Sequence, residues 1–114
     1  MEKRLISSYD ELNDIFVGKI DGENGYCADY GISDGIFLGI DKSYLPTSIF
    51  ILNASEVFEI PKKLLESSDV KINIDCDGID LLFDMFVENI KICSIKSKNV
   101  MGIPNLNFKM DSNI

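Results

Sequence analysis

The sequence predicts an α+β fold: an antiparallel β-sheet of about five to seven strands, with an N-terminal helix and one or two further short helices. Isoleucine occurs 17 times against two alanines, and β-branched side chains favour strands. A segment at 70–76 alternates apolar and polar residues, whereas apolar residues near the N-terminus recur at helical spacing. With 114 residues and 46% apolar composition, the chain suits a single domain, residues 1–114.

The N-terminal helix is predicted over about residues 8–18. Ser8 and Glu11 have the capping-box spacing, in which a hydroxyl and a carboxylate satisfy unpaired amides at a helix start. Tyr9, Leu12 and Phe16 then share one face of a 3.6-residue period. Glycines that follow end the helix.

Several strand patterns occupy the middle of the chain. Residues 25–35 are predicted to form a short strand or loop closed by a turn at Asp34 and Gly35. Apolar or alternating segments at 36–42, 48–54 and 56–60 predict three strands. A short helix over 61–67 follows, because Pro61 suits the first helical position.

The C-terminal half alternates more clearly. Val70, Ile72, Ile74 and Cys76 face inward in a predicted strand. Residues 79–88 fit a helix opened by Asp77, because apolar residues recur at i, i+3, i+4, i+7 and i+8. A hairpin turning at Asp77–Gly78 is the alternative, and the helix is favoured. Two more strands are predicted at 89–98, a basic edge strand, and at 106–110.

Residues 73–84, "NIDCDGIDLLFD", partly match a calcium-binding EF-hand loop. Asp75 and Asp77 fall at ligand positions 3 and 5. Position 1 is Asn73, however, position 12 is Asp84 instead of glutamate, and the segment before the loop alternates like a strand. The segment is therefore interpreted as a turn, and no metal site is predicted.

The net charge of −8 is concentrated in two segments. Residues 10–34 and 66–88 each carry −6, residues 35–65 are neutral, residues 89–114 carry +3 and residues 1–9 carry +1. Phosphate backbones and anionic lipids are attracted by lysine and arginine. The sequence therefore predicts neither a nucleic-acid nor a membrane partner.

The residue types that most enzymes need are missing. The chain has no histidine, no glycine-rich phosphate loop and no nucleophile motif, so no catalytic residue, enzyme activity or cofactor is predicted. Cys27, Cys76 and Cys93 are odd in number and widely spaced, which argues against a disulfide framework. Neither a signal peptide nor a long apolar run is evident, which predicts a cytoplasmic protein.

As a whole, the chain resembles the small acidic immunity proteins of contact-dependent growth inhibition and colicin-like toxin systems. The resemblance lies in its size, its charge and acidic stretches such as "SSYDELND" and "DCDGIDLLFDMFVE". It implies a protein that neutralises a cognate bacterial toxin, often a basic nuclease, by covering its active site or substrate surface. It also implies a monomer that forms a heterodimer with the toxin.

Two acidic groups are the predicted contact surface, because carboxylates near aromatic side chains suit a basic partner. They comprise Asp29, Tyr30 and Asp34 in one stretch and Asp75, Asp77, Asp80 and Asp84 in the other. The alternative function is a type III secretion-type chaperone, a class that is also small and acidic but dimeric, with apolar patches that hold an unfolded effector segment.

Overall fold

The computed structural model describes residues 2–23 and 25–114, and it contains a nine-stranded mixed β-sheet curled into a nearly closed barrel. The structure is 56% strand and 8% helix. The predicted α+β class with an N-terminal helix is therefore wrong. The protein is mostly β, with two short helices.

Nine strands and two helices follow one another along the described residues. They are β1 (Glu2–Asp10), β2 (Ile15–Ile20), β3 (Ala28–Ser33), β4 (Ile36–Ile40), β5 (Pro46–Leu52), α1 (Ala54–Phe58), α2 (Lys62–Leu65), β6 (Val70–Cys76), β7 (Asp80–Val87), β8 (Ile90–Lys98) and β9 (Leu106–Asp111).

The strands lie side by side in the order β3-β4-β5-β2-β1-β9-β6-β7-β8. Neighbouring strands are antiparallel except β1 and β9, which run parallel. The two outermost strands meet where the Tyr30 hydroxyl of β3 donates a hydrogen bond to the Lys98 carbonyl of β8. The same hydroxyl accepts a hydrogen bond from the Val100 amide at 3.3 Å. These contacts bridge the β3–β8 seam of the nearly closed barrel.

Alternate side chains along the strands point into the barrel and form one apolar core. The largest fully buried side chains are Phe16, Phe83, Leu5, Ile20, Ile36, Leu38, Ile40, Ile49, Ile51, Leu65, Ile72 and Ile74. Burying a side chain of this size stabilises the fold by about 1.5–3 kcal/mol. The abundance of isoleucine thus reflects a barrel interior filled by β-branched side chains.

Residues 8–18 form a hairpin instead of the predicted helix. Tyr9 and Phe16, assigned to one helical face, are direct cross-strand neighbours in β1 and β2. Leu12 is 94% exposed at the turn, and Asp14 has a left-handed φ of 54°. A seven-residue spacing suits both structures, and packing against the sheet outweighs a weak local helix preference.

The predicted helix over 79–88 is also wrong, and the hairpin alternative at Asp77–Gly78 is the structure that forms. Gly78 has φ 88°, which the tight turn requires. Leu82 and Phe86 point outward from β7. The inward residues are Leu81, Phe83, Met85 and Val87. The helical stripe and the strand alternation overlap in this segment, so periodicity alone could not distinguish them.

Among the remaining predicted elements, one has the wrong type of secondary structure. Residues 56–60, predicted as a strand, lie largely in α1. The short helix expected after Pro61 is present as α2. The strands predicted at 36–42, 48–54, 89–98 and 106–110, like the one at 70–76, correspond to β4, β5, β8, β9 and β6.

The strand directions sort the connections to two ends of the barrel. The helix end comprises the turn at 11–14, the Asp34–Gly35 turn, the helical segment 53–69 and the turn at 88–89. The opposite end comprises the described parts of 21–27, together with 41–45, 77–79 and 99–105. Backbone hydrogen bonds join the connections of the helix end, including Ala54 to Asp14 and Glu88 to Asp69, each at 2.9 Å.

Candidate functional site

Three of the predicted contact residues lie together at the β6–β7 hairpin. Asp75, Asp77 and Asp80 line one depression with Leu82 and Lys96. The Lys96 ammonium lies 3.6 Å from the Asp80 carboxylate. The lysine-bearing strand β8 therefore partly neutralises this cluster.

Asp77 has a structural role in the hairpin turn. Its carboxylate accepts hydrogen bonds from the Asp80 amide at 2.8 Å and the Ile79 amide at 3.0 Å. These bonds lower the pKa of Asp77 below its ordinary value. The segment that partly matched a calcium loop is thus a capped hairpin turn, and the described residues contain no group of three carboxylate or thiol side chains placed to hold a metal ion.

Asp84 lies farther along β7 on the outer face of the sheet. It is only 8% exposed, and its nearest cation is the Lys91 ammonium, 3.8 Å from Oδ1. A carboxylate this deeply covered contributes little to a long-range acidic surface. Direct contact with its oxygens requires a group that reaches into the sheet face.

The other predicted group does not join the hairpin cluster. Asp29 is exposed on the outer face of β3, where Tyr26 donates a hydrogen bond to it at 3.2 Å. Tyr30 is 3% exposed and points inward to the seam, so its ring is not a surface contact. Asp34 is exposed at the helix end, whereas the hairpin lies at the opposite end. The seven residues therefore do not share one face.

The structure gathers most of the excess charge at the helix end. Its eight acidic residues are Glu11, Asp14, Asp34, Glu56, Glu59, Glu66, Asp69 and Glu88. Lys62 and Lys63 are its two basic residues, so this end carries −6 of the total −8. Six of the eight acids are exposed, Asp14 and Asp69 being the exceptions. The connections of this end therefore carry a larger negative charge than those of the opposite end.

Sequence reasoning missed Glu56 and Glu59 as members of an acidic surface. Both belong to the segment 35–65, whose charges balance along the chain. They join Asp34 and Glu88 only because antiparallel strands return to the same end of the barrel. No local pattern in the sequence carries that information.

A buried carboxylate connects the turn at 11–14 to α1. Asp14, 8% exposed, accepts hydrogen bonds from the Tyr9 hydroxyl at 2.6 Å, the Ser55 amide at 2.9 Å and the Ser55 hydroxyl at 2.7 Å. Burial alone would raise the pKa of Asp14, but the hydrogen bonds from Tyr9 and Ser55 outweigh burial and lower it. The network holds the helix end in place.

An apolar row crosses the outer face of β2, β5 and β4. Val17 lies opposite Phe50, which lies opposite Phe37. Val17 is 37% exposed and Phe50 is 39% exposed. Neighbouring apolar side chains on an outer sheet face form a patch that can bind another molecule.

Burial makes two of the three cysteines poor nucleophiles. All three are free thiols. Burial, with a smaller contribution from nearby aspartates, raises the pKa of Cys76 to about 11 and that of Cys93 to about 11. Both therefore remain protonated near neutral pH, and a thiol is a much weaker nucleophile than a thiolate.

No protein-family model, curated protein or solved structure matches this chain. In the described part of the chain, no helix is both long enough and apolar enough to cross a lipid bilayer.

Proposed function

We propose that this protein is an immunity-type inhibitor whose acidic helix end binds a basic bacterial toxin, such as a nuclease, and covers its active site or substrate surface. The protein acts in the cytoplasm and is a monomer until it forms a heterodimer with the toxin. Free cysteines suit that reducing compartment.

The observation that carries the proposal is the net charge of −6 at one end of the barrel. Six exposed carboxylates there lie on turns and short helices, where they can reach a partner without unfolding the sheet. The surface predicted at the hairpin is a weaker candidate, because Lys96 and Lys98 lie beside it on β8.

Physical complementarity supports a cationic partner. A nuclease must attract phosphate, so its working surface is basic, and carboxylates compete for the same lysine and arginine groups. Electrostatic steering can raise the association rate constant to about 10⁸–10⁹ M⁻¹s⁻¹, compared with about 10⁵–10⁶ M⁻¹s⁻¹ for neutral surfaces. Fast association is useful when the partner is lethal.

The test is to search the coding sequences next to this protein's own for a basic toxin domain, to co-express the two, and to measure binding kinetics on the purified pair. The variant E56K/E59K/E66K should lower the association rate constant by about 10-fold or more at low ionic strength and flatten its salt dependence. Cell survival on co-expression reports neutralisation.

The matched control reverses three acids of the surface predicted from sequence, as D29K/D75K/D80K. It changes net charge by the same amount, so a larger loss in the helix-end variant isolates placement from total charge. Equal association rates for both variants and the unmodified protein would refute the proposed acidic interface.

The apolar row of Val17, Phe50 and Phe37 favours a second candidate, a secretion-type chaperone that holds an unfolded effector segment. Such a chaperone is expected to be a homodimer. Light scattering that finds a dimer, together with loss of effector binding in F50S, would support it over the inhibitor.

A further inference from the structure

A polar groove crosses the outer face of β9, β6 and β7, separate from the acidic helix end. The side chains that form its floor and walls include Asn73, Asp84 and Phe86. Lys109 and Asp111 of β9 line its other side. The groove is therefore of mixed charge.

Two acceptor oxygens in this groove are buried without a hydrogen-bond donor. Asp84 is 8% exposed, and its Oδ1 and the Oδ1 of Asn73 have no hydrogen-bond partner among the described residues. The two residues lie directly opposite each other on β6 and β7. Buried acceptors without donors are costly, so adjacent ones point to a donor supplied from outside.

The Lys91 ammonium lies near the Asp84 carboxylate, but it donates a hydrogen bond to neither of these two oxygens. Its ammonium is 3.8 Å from Asp84 Oδ1, beyond hydrogen-bond distance, and 5.8 Å from the centre of the Phe86 ring. Lys71, also on the groove, donates instead to Asn89 Oδ1 at 3.2 Å. The groove thus combines a carboxylate, an amide oxygen and an aromatic ring around a loosely held cation.

We infer that this groove receives an arginine side chain of the basic partner, whose guanidinium displaces the Lys91 ammonium. This inference rests on the proposed function, because it assumes that the partner is cationic. The guanidinium is planar and presents several N–H donors, so it can serve the Asp84 and Asn73 oxygens together and stack on Phe86. A lysine ammonium is a point donor and lacks the stacking surface.

A metal ion suits the groove less well. Hard cations such as calcium take six to eight oxygen ligands, whereas no three carboxylates of the described residues are placed together to hold a metal ion, and a lysine ammonium already lies beside Asp84. A planar guanidinium fits the chemistry better, because it brings several N–H donors to the two acceptor oxygens that the protein leaves without a hydrogen bond. Arginine is also enriched among the residues that dominate binding energy at interfaces.

The test uses L-arginine amide as the probe in an amide-resolved NMR titration of the full chain. Shift changes should centre on Asn73, Asp84 and Phe86. D84N should weaken arginine-amide binding by about 10-fold, because it removes a buried charge-assisted hydrogen bond. K91M should strengthen binding several-fold, because it removes the competing ammonium and keeps an unbranched side chain of similar length.

Two controls make the result specific. L-citrulline amide has nearly the same shape without the charge and should not bind. D80N alters a carboxylate on the same strand that is paired with Lys96, and it should leave arginine-amide affinity unchanged. Thermal unfolding of D84N confirms that a lost signal does not reflect a lost fold, and K91M tests the site independently.

Equal shifts with L-arginine, L-citrulline and L-lysine amides would overturn the inference, as would unchanged affinity in K91M. Either result would mean that the Asn73 amide or solvent satisfies Asp84. If D84N leaves binding of the basic partner unchanged while E56K/E59K/E66K weakens it, the groove inference fails and the proposed function stands. If no basic partner binds but arginine amide still requires Asp84, the proposed function fails and the guanidinium site remains.

Discussion

The two ends of the barrel use their carboxylates differently. At the opposite end, Asp21 lies 3.9 Å from the Arg4 guanidinium and Glu23 lies 4.0 Å from the Lys3 ammonium. Asp41 and Asp77 accept backbone hydrogen bonds in their turns. These acids therefore either stabilise turns through backbone hydrogen bonds or lie close to basic side chains.

At the helix end, by contrast, Asp14 is the buried carboxylate that forms the structural network, and six others are exposed. Lys62 donates to the Glu11 carbonyl at 3.0 Å. Exposed like charges on neighbouring turns do not stabilise a fold. The acids of the opposite end therefore have structural roles or basic neighbours, whereas the six exposed acids of the helix end are available to a partner.

The largest expected effect comes from removing the carboxylate that holds the helix end. Asp14→Ala breaks three hydrogen bonds to Tyr9 and Ser55 and should lower the free energy of unfolding by about 3 kcal/mol. Urea denaturation measures this change. Asp34→Ala is the matched control at the same end and should leave stability nearly unchanged; comparable losses in both variants would contradict the structural role of Asp14.

A smaller effect is expected at the glycine turns. Gly35 at the helix end has φ 77°, and a Cβ there would lie 2.8 Å from the Leu52 carbonyl oxygen. Gly35→Ala should cost about 2 kcal/mol, because left-handed strain and a backbone clash add together. Gly22 at the opposite end has φ 83° with nothing within 4 Å of a Cβ, so Gly22→Ala should cost about 1 kcal/mol. Thermal unfolding that ranks the two in the reverse order would show that the Gly35 turn relaxes.

A mutation at the β3–β8 seam, near the opposite end, should lower the free energy of unfolding less than the loss of the Asp14 carboxylate or the Gly35 turn. Tyr30→Phe removes the hydrogen bond to the Lys98 carbonyl and the acceptor for the Val100 amide, but it keeps the buried ring. The expected loss is about 1 kcal/mol in urea denaturation. Hydrogen exchange should quicken at Val100 and not at Ser55, which lies at the helix end. Uniform quickening would mean that the two ends unfold together.

The smallest effect is the acid dependence of the helix end. The folded pKa of Asp14 lies below its unfolded value, so its ionisation stabilises the fold above the unfolded pKa. That contribution is lost as pH falls through the folded pKa. Asp14→Asn should therefore have a flatter stability profile than the unmodified protein in the acidic range, measured by urea denaturation. Parallel profiles would exclude Asp14 as the source.

Many of the strands can be predicted from the sequence alone. The alternation at 70–76, the apolar segments that become β4 and β5, and the Asp34–Gly35 turn each depend on neighbouring residues. Burial on one side of a pleated strand imposes a period of two directly on the chain. Composition likewise states the net charge of −8.

The other features of the fold depend on pairing between strands that are distant in sequence. Tyr9 and Phe16 are compatible with one helical face or with two facing strands, and the contacts that choose between these lie elsewhere in the barrel. The acidic end likewise depends on which turns the antiparallel strands return to the same place, and the burial of Asp14 and Asp84 depends on segments distant in sequence. The charge of a segment can be counted from the sequence, whereas the charge of a surface depends on which segments the folded sheet brings together.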